Sequence, residues 1–160
     1  MKRPTDDEHY LQDDLLLRNH INQYHWYADN FMWDEWSELL SEDTEFEVAS
    51  AGRIYSGKAE TLERCRHGLE SRYQACQHAI VNLRFEFESD VQAAGFGNII
   101  FAGVPDKSEP GNCYLSGGRY NWVFVKRNGR WLTRRTRIEF VWESSDAATS
   151  NFFRSPELSS

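Results

Sequence analysis

The hydrophobic period changes along this chain, and that change constrains the fold class more than any other feature. From Tyr10 to Asn30 the apolar positions Leu17, Ile21, Tyr24 and Ala28 recur at the spacing of a helix. Thr5, followed by Glu8 three residues on, has the pattern of a capping box. A second short helix is expected from about Trp33 to Leu40, closed by Ser41-Glu42-Asp43. Phe46 and Val48 then alternate with Glu45 and Glu47, a strand pattern, and Ala51-Gly52 turns the chain so that Arg53 to Tyr55 pairs back. Ser56-Gly57 leads into a third helix, about Lys58 to Leu69, ended near Gly68.

From Gln77 onward only strands are expected. Ala79, Val81, Leu83, Phe85 and Phe87 alternate with polar residues up to the turn at Ser89-Asp90. The second strand of this meander runs from Val91 to Val104, with Gly95 and Gly97 marking a bend or bulge. After a polar loop come strands from Cys113 to Lys126 and from Trp131 to Trp142, joined by Asn128-Gly129, a dipeptide typical of type I′ hairpins. The expected fold is therefore α+β in a single domain spanning 1–160. A strongly bent antiparallel sheet forms a cone, and three helices from the N-terminal half pack in its hollow. Residues 1–8 and 144–160 are expected to be mobile tails, with Phe152-Phe153 able to dock.

The open mouth of such a cone is a natural small-molecule pocket, and an aromatic content of 14% would line it well. A net charge of -7 argues against nucleic acid or an anionic membrane surface as partner. No apolar run approaches the roughly 20 residues of a membrane helix, and the polar start has no signal-peptide core, so a cytoplasmic location is expected. Cys65, Cys76 and Cys113 are too few and too scattered for a disulfide framework or a zinc site. The histidines show no metal-ligand spacing, and no phosphate loop or nucleophile elbow is present. Neither metal nor cofactor is expected.

Two residues stand out where elements change. Asp29 ends the first helix and His78 opens the meander. A histidine held by a carboxylate is a general base at neutral pH, suited to removing a proton beside a carbonyl or to eliminating HX or water. Asp29 also fits an exposed helix-end carboxylate, and His78 a surface histidine. Strict alternation groups His78 with Ile80, Asn82, Arg84 and Glu86, opposite the apolar row. On that reading the pocket lies on the mixed-polarity face, and something else, such as a neighbouring subunit, covers the apolar row. Tyr24, Tyr27, Tyr120, Trp122, Asn82 and Arg135 are candidate substrate-binding residues, the tyrosines and Trp122 also fitting a plain core role. His20 and His25 sit on different faces of the first helix and carry no assigned role.

Three stretches resemble the nuclear transport factor 2-like (cystatin-like) superfamily, and most closely its SnoaL-like branch with scytalone dehydratase and hexachlorocyclohexane dehydrochlorinase. They are Tyr27-Ala28-Asp29 with Trp33-Asp34-Glu35-Trp36 and Glu42-Asp43; Gln77-His78 with Asn82-Leu83-Arg84 and Phe85; and Gly129-Arg130-Trp131. The resemblance implies a cystatin-like α+β barrel with Asp29 and His78 as the catalytic pair. The resemblance carries over the pair but neither the substrate nor the leaving group. With the pair as motive, the expected protein is a cofactor-independent lyase, dehydratase or dehydrohalogenase in type, acting on a hydrophobic cyclic substrate as a homodimer or homotrimer. The sequence departs from scytalone dehydratase: Ala28 and Val48 stand at what look like tyrosine positions, and the later strands carry no second histidine. Arg135 lies close to the last-strand arginine of the dehydrochlorinase, with Thr136 the alternative register. Isomerase or polyketide-cyclase chemistry uses similar proton transfers. The small β subunits of ring-hydroxylating dioxygenases, which are structural partners, share the fold and a similar Trp-Asp-Glu-Trp helix.

Overall fold

A computed structural model of the protein describes residues 10–144. Thr5, Glu8, His9 and Phe152-Phe153 lie outside the described residues. Helix α1 spans Leu11–Asp29, α2 Trp33–Ser37 and α3 Lys58–Glu70. The strands are β1 Leu40–Val48, β2 Arg53–Ser56, β3 Ala75–Ser89, β4 Gln92–Val104, β5 Tyr114–Arg127 and β6 Arg130–Glu143. They form one curled, unclosed sheet in the order β2-β1-β6-β5-β4-β3, with the three helices from the first half of the chain. The α+β cone expected from the sequence is what the chain forms.

Two details differ. The second helix stops at Ser37 instead of Leu40, and Ser41-Glu42-Asp43 belongs to β1. Burial decides this: Leu40, Ser41 and Thr44 are all buried, and Thr44 donates from its hydroxyl to the Thr133 carbonyl on β6. The sheet is also not antiparallel throughout, because β1 pairs with β6 in parallel. The chain runs through β2, α3 and three further strands between them, ample length for the crossover that parallel pairing needs.

The meander is antiparallel and ends in the expected tight turn. Asn128 and Gly129 have φ of 51° and 76°, the two positive angles of a type I′ turn, and Arg127 pairs with Arg130. Gly95 makes a close approach: a Cβ there would lie 2.6 Å from the Phe124 ring. Its absence lets Phe85 and Phe124 meet edge to face, 5.9 Å apart, directly against β4.

Strand β3 carries the feature that sets the site. Its register against β4 shifts between Val81 and Arg84, and Asn82 within that shift has φ 55°, in the left-handed region. Such a bulge reverses which side chains face which side. Before it, Cys76, His78 and Ile80 are half-buried while Gln77, Ala79 and Val81 are exposed; after it, Phe85 and Phe87 are buried. The expected single apolar row is thus two rows of opposite phase. His78 lies on the helix-covered side with Phe85, and no neighbouring subunit is needed to cover that row.

Helix α1 lies across this inner face. Leu17 and Ile21 pack with Phe85, Phe87, Ile99, Trp122, Phe124 and Trp131 at one end of the hollow. Tyr24 and Ala28 join Trp33, Trp36, Leu69, Tyr73 and Phe101 at the other. Asp13 ties the first end together. It accepts from the Trp131 indole N–H at 2.9 Å and pairs with Lys126 at 2.7 Å. Among the described residues, no helix is long and apolar enough to cross a membrane.

Candidate active site

The last turns of α1 bring Tyr24, His25, Ala28 and Asp29 to the sheet, and the i, i+4 spacing places His25 and Asp29 on one face. Phe31, at φ 55°, turns the chain sharply after the helix and sends it into α2. Opposite, β3 begins at Ala75 and presents His78.

Asp29 grips His78 twice. Its Oδ2 accepts the His78 backbone N–H at 2.9 Å, and its Oδ1 lies 2.5 Å from His78 Nδ1. Both side chains are largely buried, with 9% and 14% of their surface exposed. The carboxylate is an acceptor only, so Nδ1 carries the shared proton, and in the neutral imidazole Nε2 keeps a free lone pair. The imidazole is packed between the rings of Phe101, at 4.7 Å, and His25, at 5.0 Å.

Two narrow adjoining cavities meet at His78. One, of about 30 Å³, is lined by Leu69, His78, Phe101, Ser116, Tyr120 and Phe140 among others. The second, of about 50 Å³, runs toward Tyr24, His25, Trp36, Arg64, Cys65 and Tyr120. Each has room for only a few water molecules, less than a six-membered ring occupies. On the other side of the Asp29–His78 pair, an open groove between α1 and the edge strand β3 is lined by Asn22, Trp26, Gln77 and Ile80. The pair therefore stands between an apolar interior and a face where protons can exchange with water.

Burial dominates the electrostatics of the walls. It pushes the Tyr24 and Tyr120 hydroxyls well above the ordinary tyrosine range, so both stay protonated. Burial also pushes the Cys65 and Cys76 thiols up to about 12, which removes them as nucleophiles near neutral pH. His25 is driven well below the usual histidine range, first by burial and then by the neighbouring His78. Among the described residues, no group of three or more histidine, cysteine, aspartate or glutamate side chains is placed to hold a metal.

The candidates named from sequence divide. Asp29 and His78 come together, and Tyr24 and Tyr120 line the second cavity with them. Trp122 is buried in the core behind His25, at 6.1 Å. Tyr27 is half-buried against the aromatic cluster at the end of α1 and does not line the cavities. Asn82 is exposed, because the bulge it forms turns it outward. Arg135 also faces out, bonded to Glu47 at 2.7 Å across the outer face of the sheet. Its neighbour Thr136 is the one that points inward, within 3.4 Å of the Tyr24 hydroxyl. His25, Arg64 and Phe101 went unassigned in the sequence, although the four-residue step from His25 to Asp29 was a readable signal for the first.

A family model for the SnoaL-like domain matches residues 9–137. Solved structures with this cystatin-like fold are similar along most of the chain. A candidate scytalone dehydratase from Novosphingobium aromaticivorans superposes with a TM-score of 0.73 at 19% identity, covering 81% of this chain and 84% of that one. A hexachlorocyclohexane dehydrochlorinase, LinA type 3 from Novosphingobium barchaimii, gives 0.71 at 19% identity over 81% and 87%. A candidate aromatic ring hydroxylase from Novosphingobium aromaticivorans gives 0.72 at 18% identity over 84% and 93%. No curated protein matches the chain.

Proposed function

Because the chain belongs to the SnoaL-like domain family, we propose that it is a cofactor-independent lyase in which His78 is the base and Asp29 orients it. The observation that carries this reading is the double contact of Asp29 with His78 at the junction of the two cavities. His78 Nε2 removes a proton from a carbon beside an electron-withdrawing group. The C–H electron pair becomes the new carbon–carbon double bond, and hydroxide or halide leaves with its own bonding pair. For hydroxide, the imidazolium returns its proton to the leaving group as water; for halide, the proton passes to solvent. Asp29 offsets the imidazolium charge while it lasts. The aromatic walls favour a hydrophobic cyclic substrate, and the working form is a cytoplasmic homo-oligomer, dimer or trimer.

The same base would serve an isomerase or polyketide cyclase, where the proton returns to another atom of the substrate. Similarity to the candidate aromatic ring hydroxylase favours a second reading, a non-catalytic β subunit of a ring-hydroxylating dioxygenase. Assays for chloride release from hexachlorocyclohexane and for dehydration of cyclic β-hydroxy ketones separate these. Turnover that His78→Ala removes supports the lyase. Stable co-purification with a larger iron-containing subunit, without turnover, supports the structural role.

A further inference from the structure

His25 is only 3% exposed, yet neither of its ring nitrogens has a hydrogen-bond partner among the described residues. Trp36, 1% exposed, leaves its indole N–H equally unmatched. Buried polar groups are almost always satisfied, and an orphaned one costs about 1–3 kcal/mol. Both side chains line the second cavity, and both pack on the Tyr24 ring, His25 at 5.1 Å and Trp36 at 4.9 Å. The His25 ring also lies 5.0 Å from that of His78. An indole N–H is a donor only, and a neutral imidazole always offers one N–H. The cavity thus presents donors awaiting an acceptor, beside the base.

We propose that His25 is a further catalytic residue, whose ring N–H donates a hydrogen bond to an oxygen of the substrate next to the carbon that His78 deprotonates. The substrate class is then a ring ketone or similar oxygenated ring, with Trp36 donating to a second acceptor. As the C–H bond breaks, negative charge grows on that oxygen, and a fixed donor in a dry cavity stabilises it most at that moment. A neutral imidazole does this without giving up its proton. The proposal rests on the proton-transfer reading of the Asp29–His78 pair but is testable without turnover.

Binding of cyclohexanone and of its apolar isostere methylenecyclohexane is measured by titration calorimetry, with the ¹⁵N resonances of His25 followed by NMR. Wild type is expected to favour cyclohexanone about tenfold, the worth of one buried hydrogen bond, and the ketone alone should move the His25 resonances. His25→Leu should erase the preference without weakening methylenecyclohexane. Because binding and not turnover is read, a failure of the lyase reading leaves this result standing. A wild type without preference, a preference that survives His25→Leu, or ketone binding that leaves the His25 resonances unmoved overturns the proposal. The NMR readout decides the matter if His25→Leu does not fold.

Discussion

His78 and Phe85 face the same side of the sheet although they stand seven positions apart, an odd step, on one strand. The bulge at Asn82 makes this so, with its φ of 55° and the register shift around it. Asn82 should therefore tolerate glycine and resist β-branched residues. Asn82→Val is expected to cost about 1–2 kcal/mol, the penalty of a left-handed conformation for an ordinary side chain, while Asn82→Gly stays within about 0.5 kcal/mol. Urea denaturation of both variants checks the difference.

Asp29 meets two donors, the His78 backbone N–H and Nδ1–H. Asparagine has only one acceptor to set against them, and its amide N–H₂ would face a donor. Asp29→Asn should drive His78 into the other tautomer, with the proton on Nε2 and no lone pair for the substrate. Turnover is expected to fall by about 10²–10⁴-fold with little change in stability. The tautomer is read from the ¹⁵N shifts of His78, which a merely structural role for Asp29 would leave unchanged.

His20 gives the chain an acid-sensitive fold. Burial, with Arg130 adding to it, lowers this histidine to about 4, and its Nε2 bonds the Thr133 hydroxyl at 2.8 Å. The unfolded chain binds the proton near 6.5, the folded chain only near 4. Stability should be unaffected by His20 above pH 6.5, fall between pH 6.5 and 4 by up to about 3 kcal/mol, and level off below. His25, shifted the same way, steepens the slope. His20→Gln, which cannot titrate, should flatten the curve measured by denaturation at pH 7 and pH 4.5.

Asp13 holds the Trp131 indole and Lys126 at the far end of the hollow. Asp13→Ala leaves a buried N–H without an acceptor and should cost about 2 kcal/mol, lowering the melting temperature while sparing the distant Asp29–His78 pair. Calorimetry and the wild-type His78 resonances check both halves.

Much of this was legible in the residues. Period, turn dipeptides and glycines located every strand of the meander, and the positions of Asp29 and His78 at element ends marked the pair. What alternation could not carry was phase across a bulge: Asn82 reads as one more polar residue in a strand, yet it decides which row faces the helices. Arg135 and Thr136 were separated for the same reason, since one step of register exchanges the sides. The parallel pairing of β1 with β6 depends on contacts between segments far apart in the chain, and local pattern holds no trace of them.

The central claim, that His78 removes a proton from carbon, is tested most directly by exchange of the α-hydrogens of 2-tetralone in D₂O, followed by proton NMR. Wild type should accelerate the exchange at least about 10²-fold over His78→Ala. Equal rates for the two proteins would contradict the account.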